Sequence, residues 1–406
     1  MHDCPGPGRP PALEPEGWTI VTADGPRTGS GAPTLLIAHP SADVYGADLQ
    51  LLESVSAMTE RGWRVVVAVP GDGPLVARLQ DRGAEVGFVG FPVLRRANTS
   101  ARGFATMIGQ TVLALPRLVR VIRSFAPAAV YVNTVTLPWW LLASRLVGRP
   151  TICHLHEAET GDNRLVLKGL LAPLRLAHAV IVISRSTLDA MAEIVPALRE
   201  RARLIYNGVP QPPEEPAPAP RGEPLRAVVV GRLSPRKAPH LALEAVGALR
   251  AKGYRIELEI VGTAFEGYEW YVEELEQRAT RPDLDGAVTF LGYASPIWPV
   301  LAGADLAVAP SLREPFGNAV VEAQLARRPV VATAALGHTE SIADGETGLL
   351  VPAEDVSAMA DAIARLADDG ELAGRLAEAG RRSAVDRFSI ERYRAEVAEL
   401  VGSLTA

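Results

Sequence analysis

Two carboxylates, separated by seven residues, stand in the second half of this 406-residue sequence, at Glu314 and Glu322. Glu314 follows an apolar stretch, and we predict a helix that begins near Asn318. The first N–H groups of a helix carry partial positive charge and suit an anionic ligand. Glu322, one turn inside that helix, could accept hydrogen bonds from a vicinal diol such as ribose. Two acids that only stabilise the helix dipole explain the spacing equally well.

A basic loop follows the apolar stretch 226–230 and contains Arg232 and Lys237. Guanidinium and ammonium groups at the carboxyl end of a strand suit a diphosphate. The alternative is a polar surface loop without a ligand.

Two weaker signals lie in the first half of the chain. Gly46 precedes a predicted helix, and a glycine there lets the backbone approach a phosphate or a sugar. His156 ends an apolar strand in His154-Leu-His156 and could orient a sugar hydroxyl. A histidine in such a place is more often structural.

These residues lie where apolar strands give way to helices, and that alternation repeats along the chain. The strands are continuously apolar, which indicates burial on both faces and therefore parallel sheets flanked by helices. A Pro-rich stretch, 210–224, interrupts the rhythm, which then restarts. We therefore predict an α/β protein of two Rossmann-like, doubly wound domains facing each other across a cleft. The predicted segments are a disordered leader 1–32, a first domain 33–209, a linker 210–224, a second domain 225–386 and a C-terminal helix 387–406 that packs back on the first domain.

Composition excludes several classes of protein. Hydrophobic residues make up 48% and charged residues 22%, which excludes wholesale disorder and fibrous repeats. The two cysteines are far apart and form no zinc-ligand spacing, which favours a reducing compartment. The sequence shows neither a signal-peptide pattern nor an apolar run long enough to span a membrane. We expect a cytoplasmic protein.

The net charge of −6 hides an asymmetry, because the chain up to Pro210 carries +4 and the remainder −10. Residues 86–156 contain no acid and eight arginines. This acid-free segment predicts a contact with an anionic membrane surface, on the inner face of the membrane. A solvated Arg-rich face is the alternative. We do not expect a nucleic-acid partner, because the chain is acidic overall and no aromatic residues alternate with the arginines.

Five motifs together resemble the retaining family-4 glycosyltransferases, also called glycosyltransferase group 1. The motifs are Gly231-Arg232-Leu233 with Lys237, Glu314-Pro-Phe-Gly317 with Glu322, Gly337-His-Thr-Glu340, Asp344-Gly-Glu-Thr-Gly-Leu-Leu-Val351 and Arg387-Phe-Ser389. The resemblance implies the GT-B architecture, with the nucleotide-sugar donor on the second domain and the acceptor on the first.

The same resemblance implies roles for individual residues. It makes Arg232 and Lys237 a clamp for the diphosphate and Glu314 a contact to the donor-sugar hydroxyls, and it places His156 beside the reacting sugar; these four are the candidate catalytic residues. Further donor contacts would come from Gly46, from the backbone amides of Phe316, Gly317 and Asn318, and from Glu322 as the ribose-binding acid. The N-terminal loop departs from the family pattern by having one glycine, Gly46, in place of a pair. His338 stands where the family has a second glycine.

The resemblance predicts a retaining, metal-independent transfer of a sugar from a nucleotide-diphosphate sugar to a hydroxyl. The acceptor would be a glycan, a lipid-linked molecule or a small molecule, as in cell-surface glycan, glycolipid or secondary-metabolite synthesis. No cofactor is expected, since the nucleotide sugar is a co-substrate. Asp283-Leu-Asp285 mimics a metal-binding motif but is predicted in a turn, where acids are common. The alternatives are a GT-B sugar-nucleotide epimerase or phosphorylase, and a catalytically silent sugar-binding protein.

Overall fold

The structure is a computed structural model that describes residues 18–21, 31–43, 46–94, 101–156, 163–264 and 267–405. The side chains of 18–21, 101–108 and 112 lie outside this description. The chain forms two compact units. The first unit comprises Met1–Ile183, Thr187–Ile205 and Tyr393–Ala406, and the second comprises Ser184–Ser186 and Tyr206–Arg392.

An eight-stranded sheet forms the centre of the first unit, in the order β1-β4-β3-β2-β5-β6-β7-β8. Its strands are β1 Trp18–Val21, β2 Thr34–Ala38, β3 Arg64–Val69, β4 Glu85–Val89, β5 Ala129–Val132, β6 Thr151–Leu155, β7 Ala179–Val182 and β8 Ala202–Leu204. All pairings are parallel except that of β1 with β4. The parallel strands read as continuous Val, Leu and Ile runs because helices cover both faces.

The helices of this unit follow the strands. They are α1 Gly46–Thr59, α2 Pro74–Asp81, α3 Ala101–Phe125, α4 Pro138–Val147, α5 Arg164–Leu171 and α6 Arg185–Ile194. Helix α6 begins within the short segment Ser184–Ser186, which belongs to the second unit. Ala172–Leu176 and Pro196–Arg201 are 3₁₀ helices. Two apolar cores result, one on each face of the sheet.

Strand β1 corrects the prediction of a disordered leader at 1–32. Trp18–Val21 pairs antiparallel with β4, register Trp18 to Val89. Gly and Pro on both sides of this short segment hide it in the sequence, and only the exposed edge of β4 gives it a partner. Residues 1–17 and 22–30 of the predicted leader lie outside the described part of the chain.

The second unit contains a six-stranded parallel sheet in the order β11-β10-β9-β12-β13-β14. Its strands are β9 Leu225–Val230, β10 Ile256–Val261, β11 Val288–Gly292, β12 Leu306–Ala309, β13 Val330–Thr333 and β14 Leu349–Val351. The helices that follow are α7 Pro239–Ala251, α8 Glu269–Ala279, α9 Trp298–Gly303, α10 Asn318–Leu325, α11 His338–Ser341, α12 Val356–Asp368, α13 Gly370–Phe388 and α14 Ile390–Thr405. The strand order reverses between β9 and β12, and ligands bind at such switch points in open α/β sheets.

The predicted boundaries differ slightly from those in the structure. The first unit ends at Ile205, before the predicted boundary at 209, since Tyr206 packs with Phe316 and Phe388 of the second unit. Helix α14 begins in the second unit and joins the first from Tyr393 onward. Tyr393 is fully buried there, in one apolar core with α1.

Candidate functional site

A small pocket in the second unit opens at the carboxyl ends of β9 and β12, which are neighbours in the sheet. Parallel strands bring the residues after each carboxyl end to one edge, so loops distant in sequence meet there. The residues that line the pocket include Gly231, Arg232, Lys237, Ser311, Glu314 and His338.

The centre of this pocket is an ion pair between the Nζ atom of Lys237 and the Oε2 atom of Glu314. Glu314 is buried, and the hydroxyl of Ser311 donates to the same oxygen at 3.4 Å. Burial alone would raise the pKa of Glu314, but the neighbouring cations, Lys237 foremost and then Arg236, more than offset it, so the pKa lies below its ordinary value. The result is a buried, ionised carboxylate beside a cation, where groups interact strongly with a charged ligand.

Two glycines allow the turn after Glu314 to approach α11. Gly317 has φ +97° and caps α10, and a Cβ there would lie 2.8 Å from Cδ2 of His338. A Cβ on Gly337 would lie 2.5 Å from the Cα of Phe316. The N–H of Gly337 donates to the carbonyl of Glu314 at 2.8 Å. Neither glycine can carry a side chain without moving the pocket wall.

His338 is held in this pocket wall by a hydrogen bond to the backbone. Its Nδ1–H donates to the carbonyl of Thr333 at 3.0 Å, and burial lowers the pKa of His338 below the ordinary value. The ring is therefore neutral, and Nε2 is the acceptor nitrogen. The histidine that replaces the family's second glycine thus packs against Gly317 in the pocket wall.

Helix α10 begins at Asn318, as the sequence predicts, and no side chain caps it. The N–H of Val320 donates to the carbonyl of Gly317 at 3.0 Å, so the N–H groups ahead of Val320 are the ones without an intrahelical or side-chain acceptor. The amide oxygen of Asn318 accepts a hydrogen bond from Asn207 at 3.1 Å. Glu322 lies one turn further on, and burial raises its pKa to about 7, an effect that Lys237 partly offsets.

The side chain of Phe316 belongs to the interior of the second unit. It packs edge-to-face against Phe388, with ring centroids 5.3 Å apart, and in a tilted arrangement against Tyr206, with centroids 6.0 Å apart. Only its backbone is left for the ligand contact that the resemblance implies. The aromatic cluster anchors the turn that carries Glu314.

In the first unit, His156 directly follows β6 and is partly exposed. Its Nε2 lies 3.0 Å from Oδ1 of Asn133, and its ring lies 3.8 Å from that of His154, between centroids. Burial and, to a smaller extent, the neighbouring His39 lower the pKa of His156 to about 3. A neutral imidazole at the mouth of the sheet suits a sugar hydroxyl better than an anion.

Gly46 is the first residue of α1 and is exposed. The neighbouring Val44 and Tyr45, in the loop that precedes Gly46, lie outside the described residues. Asp48, in the first turn of α1, is buried and lies 2.8 Å from Nε2 of His39.

Comparisons with known proteins connect this geometry to a family. The profile of glycosyltransferase family 4 matches residues 44–211, and that of the group 1 glycosyl transferases matches residues 224–369. The chain belongs to this glycosyltransferase family. The first match ends within the Pro-rich stretch and the second begins at its end. The second match contains every strand of the second sheet, and the first contains β3 to β8 of the first sheet.

Curated relatives agree with this assignment. The chain is 30% identical to a glycogen synthase of Mycobacterium tuberculosis over 292 residues, 66% of each protein. It is 35% identical over 162 residues to the lipopolysaccharide core biosynthesis glycosyltransferase LpsE of Rhizobium meliloti, 40% of this chain and 45% of that protein. The chain thus spans between about half and two thirds of the length of these relatives.

A solved structure covers more of the fold. Anabaena HepE, crystallised with UDP-glucose, matches with a TM-score of 0.76 and 25% identity over 91% of this chain and 99% of HepE. This likeness supports the GT-B fold that the sequence predicts, with two helix-covered sheets that are parallel apart from the edge strand β1.

The structure brings together Arg232, Lys237, Glu314 and Gly317 at one pocket of the second unit. Gly46 and His156 belong to the first unit. Sequence reasoning missed the contribution of Ser311 to the carboxylate of Glu314 and that of Asn133 to His156. Their position within two residues of the end of a buried strand is the signal that could have found both.

Two further motif residues have local contacts. The carboxylate of Glu340 accepts the backbone N–H groups of Arg185 and Ser186, at 2.8 and 2.9 Å, at the start of α6. Asp283 forms an ion pair with Arg278 at 2.6 Å. Asp283 is therefore engaged in a local contact within the motif that mimics a metal site.

Proposed function

We propose that this protein transfers a sugar from a uridine-diphosphate sugar to a hydroxyl acceptor, with retention of anomeric configuration and without a metal ion. The observation that carries the proposal is the buried Glu314, ionised and paired with Lys237 beside Arg232. The UDP-glucose bound by HepE supports uridine diphosphate as the carrier.

The mechanism follows from where charge develops. As the bond between the anomeric carbon and the diphosphate breaks, negative charge grows on the leaving phosphate, and its stabilisation is the main electrostatic requirement. Arg232, Lys237 and the uncapped start of α10 supply that positive potential. Glu314 holds Lys237 in place and offers its carboxylate oxygens to the sugar hydroxyls.

We assign the acceptor's proton to the leaving phosphate. The acceptor oxygen forms a bond to the anomeric carbon on the face from which the diphosphate departs, and the departing phosphate oxygen takes the hydroxyl proton. This front-face route needs no covalent intermediate. It retains the configuration at the anomeric carbon, and the products are the glycoside and UDP.

The test is a screen of the purified protein with UDP-, GDP-, ADP- and dTDP-sugars, in which thermal stabilisation and sugar release are measured. A ligand that binds only the folded state raises its apparent stability. We expect a response to UDP-sugars that Glu322→Ala abolishes and that the exposed-site variant Asp285→Ala keeps. Product NMR reports the anomeric configuration, and excess chelator should leave turnover unchanged. Isomerised donor, transfer to phosphate, or no turnover would favour the epimerase, the phosphorylase or the silent binder.

We further propose a lipid-linked acceptor at a membrane surface. Within the acid-free segment, α3 exposes Leu113 by 79% together with Arg120 and Arg123. Apolar side chains beside arginines on an amphipathic helix suit the headgroup region of an anionic bilayer. Phe91, in the same acid-free segment, is buried against Trp140 and is not available for such a contact. Arg95 and Arg96 lie outside the described residues.

Vesicle sedimentation tests the membrane proposal. We expect binding to vesicles that contain phosphatidylglycerol and weaker binding to phosphatidylcholine alone, with a loss on Leu113→Asp. Equal binding to both vesicle types would contradict it. Among the described residues, no helix is long and apolar enough to cross a membrane.

A further inference from the structure

In the first unit, three neighbouring parallel strands are each followed by a polar residue, and hydrogen bonds connect these three residues into a row. Strand β2 is followed by His39, β5 by Asn133 and β6 by His156, and these strands lie side by side in the order β2-β5-β6. The sheet therefore sets these three side chains next to one another, although the sequence separates them widely. His39 and Asn133 are each 1% exposed, whereas His156 is partly exposed.

The hydrogen bonds along this row have a single direction. Asp48 Oδ1 lies 2.8 Å from Nε2 of His39, and a carboxylate can only accept, so His39 carries its proton on Nε2. Nδ1 of His39 is then an acceptor, and Nδ2 of Asn133 donates to it at 3.1 Å. Oδ1 of Asn133, on the other side of the amide, accepts from Nε2–H of His156 at 3.0 Å.

The reversed amide would require a different set of protons. If Oδ1 of Asn133 faced His39, that ring would need protons on both nitrogens, and His156 would carry its proton on Nδ1. The observed arrangement instead keeps both imidazoles neutral, which avoids the cost of a charge on the buried His39.

We propose that Asp48, His39 and Asn133 are positioning residues that hold His156 as the neutral Nε2–H tautomer, leaving the Nδ1 lone pair to accept a hydrogen bond from a sugar hydroxyl. A carbonyl or a phosphate oxygen could not donate to that nitrogen, so the row selects a hydroxyl-bearing ligand. The part that concerns sugar recognition rests on the proposed glycosyl transfer. The tautomer itself does not depend on it.

The burial of the ring agrees with a neutral state. The pKa of His156 is lowered to about 3 by burial and by His39, so the ring carries no charge at neutral pH. The groups that face it are His39 through Asn133, and His154 through ring contact at 3.8 Å. His154 is itself held by a separate contact, 2.6 Å from its Nδ1 to the hydroxyl of Tyr131.

Two-bond ¹H–¹⁵N correlation spectra of the labelled full-length protein read the tautomer directly, with His156→Gln to assign the signals. We expect a protonated Nε2 and an unprotonated Nδ1 for His156 at pH 7. In Asp48→Asn the amide can donate or accept, so the direction is no longer forced and His156 should show a mixture of tautomers. In Asn133→Asp the carboxylate cannot donate to His39, which should then take a second proton.

Tyr131→Phe is the matched control, because it cuts the hydrogen bond of His154 and leaves the row from Asp48 to His156 intact. We expect it to change the His154 signals and not those of His156. An Nδ1–H or doubly protonated His156 in the unmodified protein would overturn the proposal. Unchanged His156 and His39 signals in both Asp48→Asn and Asn133→Asp would overturn it as well.

Enzyme kinetics test the positioning role separately from the tautomer. With UDP-glucose as the donor, both row variants should lower kcat about tenfold or more and leave the KM for UDP-glucose nearly unchanged, since a misplaced catalytic contact costs rate rather than binding. A similar loss of kcat in Tyr131→Phe would contradict a positioning role. Absence of turnover in the unmodified protein would contradict the proposed function, and the spectra would still decide the tautomer.

Discussion

Lys237 and Glu314 form an ion pair across 77 residues of sequence, with the carboxylate buried and the ammonium at the edge of the pocket. A lone buried carboxylate would be strongly penalised, and this pairing keeps it ionised. The ion pair therefore allows a charged carboxylate and a charged ammonium to lie side by side at the carboxyl ends of β9 and β12.

Replacement of Lys237 tests this relationship. Lys237→Met removes the cation that stabilises the developing phosphate charge and leaves Glu314 without its ion-pair partner. We expect UDP-glucose turnover to fall at least about 100-fold and the pKa of Glu314 to rise. Stopped-assay kinetics and thermal unfolding measure the two effects.

Lys252→Met is the matched control for that variant. Lys252 is an exposed lysine that pairs with Asp361 at 3.4 Å, and such surface pairs contribute little stability. Equal losses of turnover in both variants would mean that the position of the cation does not matter, contrary to the proposed mechanism.

Glu322 should make stability depend on pH in a specific direction. Its folded pKa of about 7 exceeds the ordinary value of 4.5, so between these pH values the folded state holds more protons than the unfolded state. Stability from this group is full below pH 4.5 and is lost as the pH rises through 7. Glu322→Gln should therefore match the wild type at pH 5 and exceed it at pH 8, by on the order of 1–3 kcal/mol.

Calorimetric unfolding at the two pH values measures that difference. The control is Glu276→Gln, at an exposed position of α8, which should show the same difference from wild type at both pH values. A Glu322→Gln difference that does not grow between pH 5 and pH 8 would refute the raised pKa.

The turn at Gly317 should reject any side chain. Gly317→Ala places a methyl group 2.8 Å from His338 in a backbone conformation that favours glycine, so we expect a lower unfolding temperature and loss of donor turnover. Gly374→Ala, in the exposed middle of α13 with no atom within 4 Å of the new Cβ, should stabilise by up to about 1 kcal/mol. Both are measured by thermal unfolding. An unchanged unfolding temperature in Gly317→Ala would show that the pocket wall can move to accommodate the methyl group.

Asp305 holds the chain that enters the second unit. Its buried carboxylate accepts the backbone N–H groups of Arg221, of Gly222 at 3.3 Å and of Arg226 at 2.7 Å. Asp305→Ala leaves these donors without their acceptor, and we expect a loss of about 2–4 kcal/mol. Calorimetry should show a lower transition temperature, with Asp285→Ala as the exposed control. Equal transitions in the two variants would contradict the anchoring role.

Much of the architecture could be predicted because each strand is a local apolar run. Strands β4 and β5, for example, coincide with local apolar runs, since burial on both faces leaves a continuous signal. Strands β1, β8 and β14 escaped prediction. They are short, and their pairing depends on a neighbour elsewhere in the chain.

The sequence by itself determined two helix-covered parallel sheets, the Pro-rich division between them, the start of α10 at Asn318 and the family motifs, because propensity, periodicity and spacing are local properties. Only the tertiary structure decided that Lys237 meets Glu314, that Phe316 is buried, and that Asn133 joins His39 to His156. Those contacts depend on the order of strands in a sheet. Strand order is a long-range outcome of packing, and no short stretch of sequence encodes it.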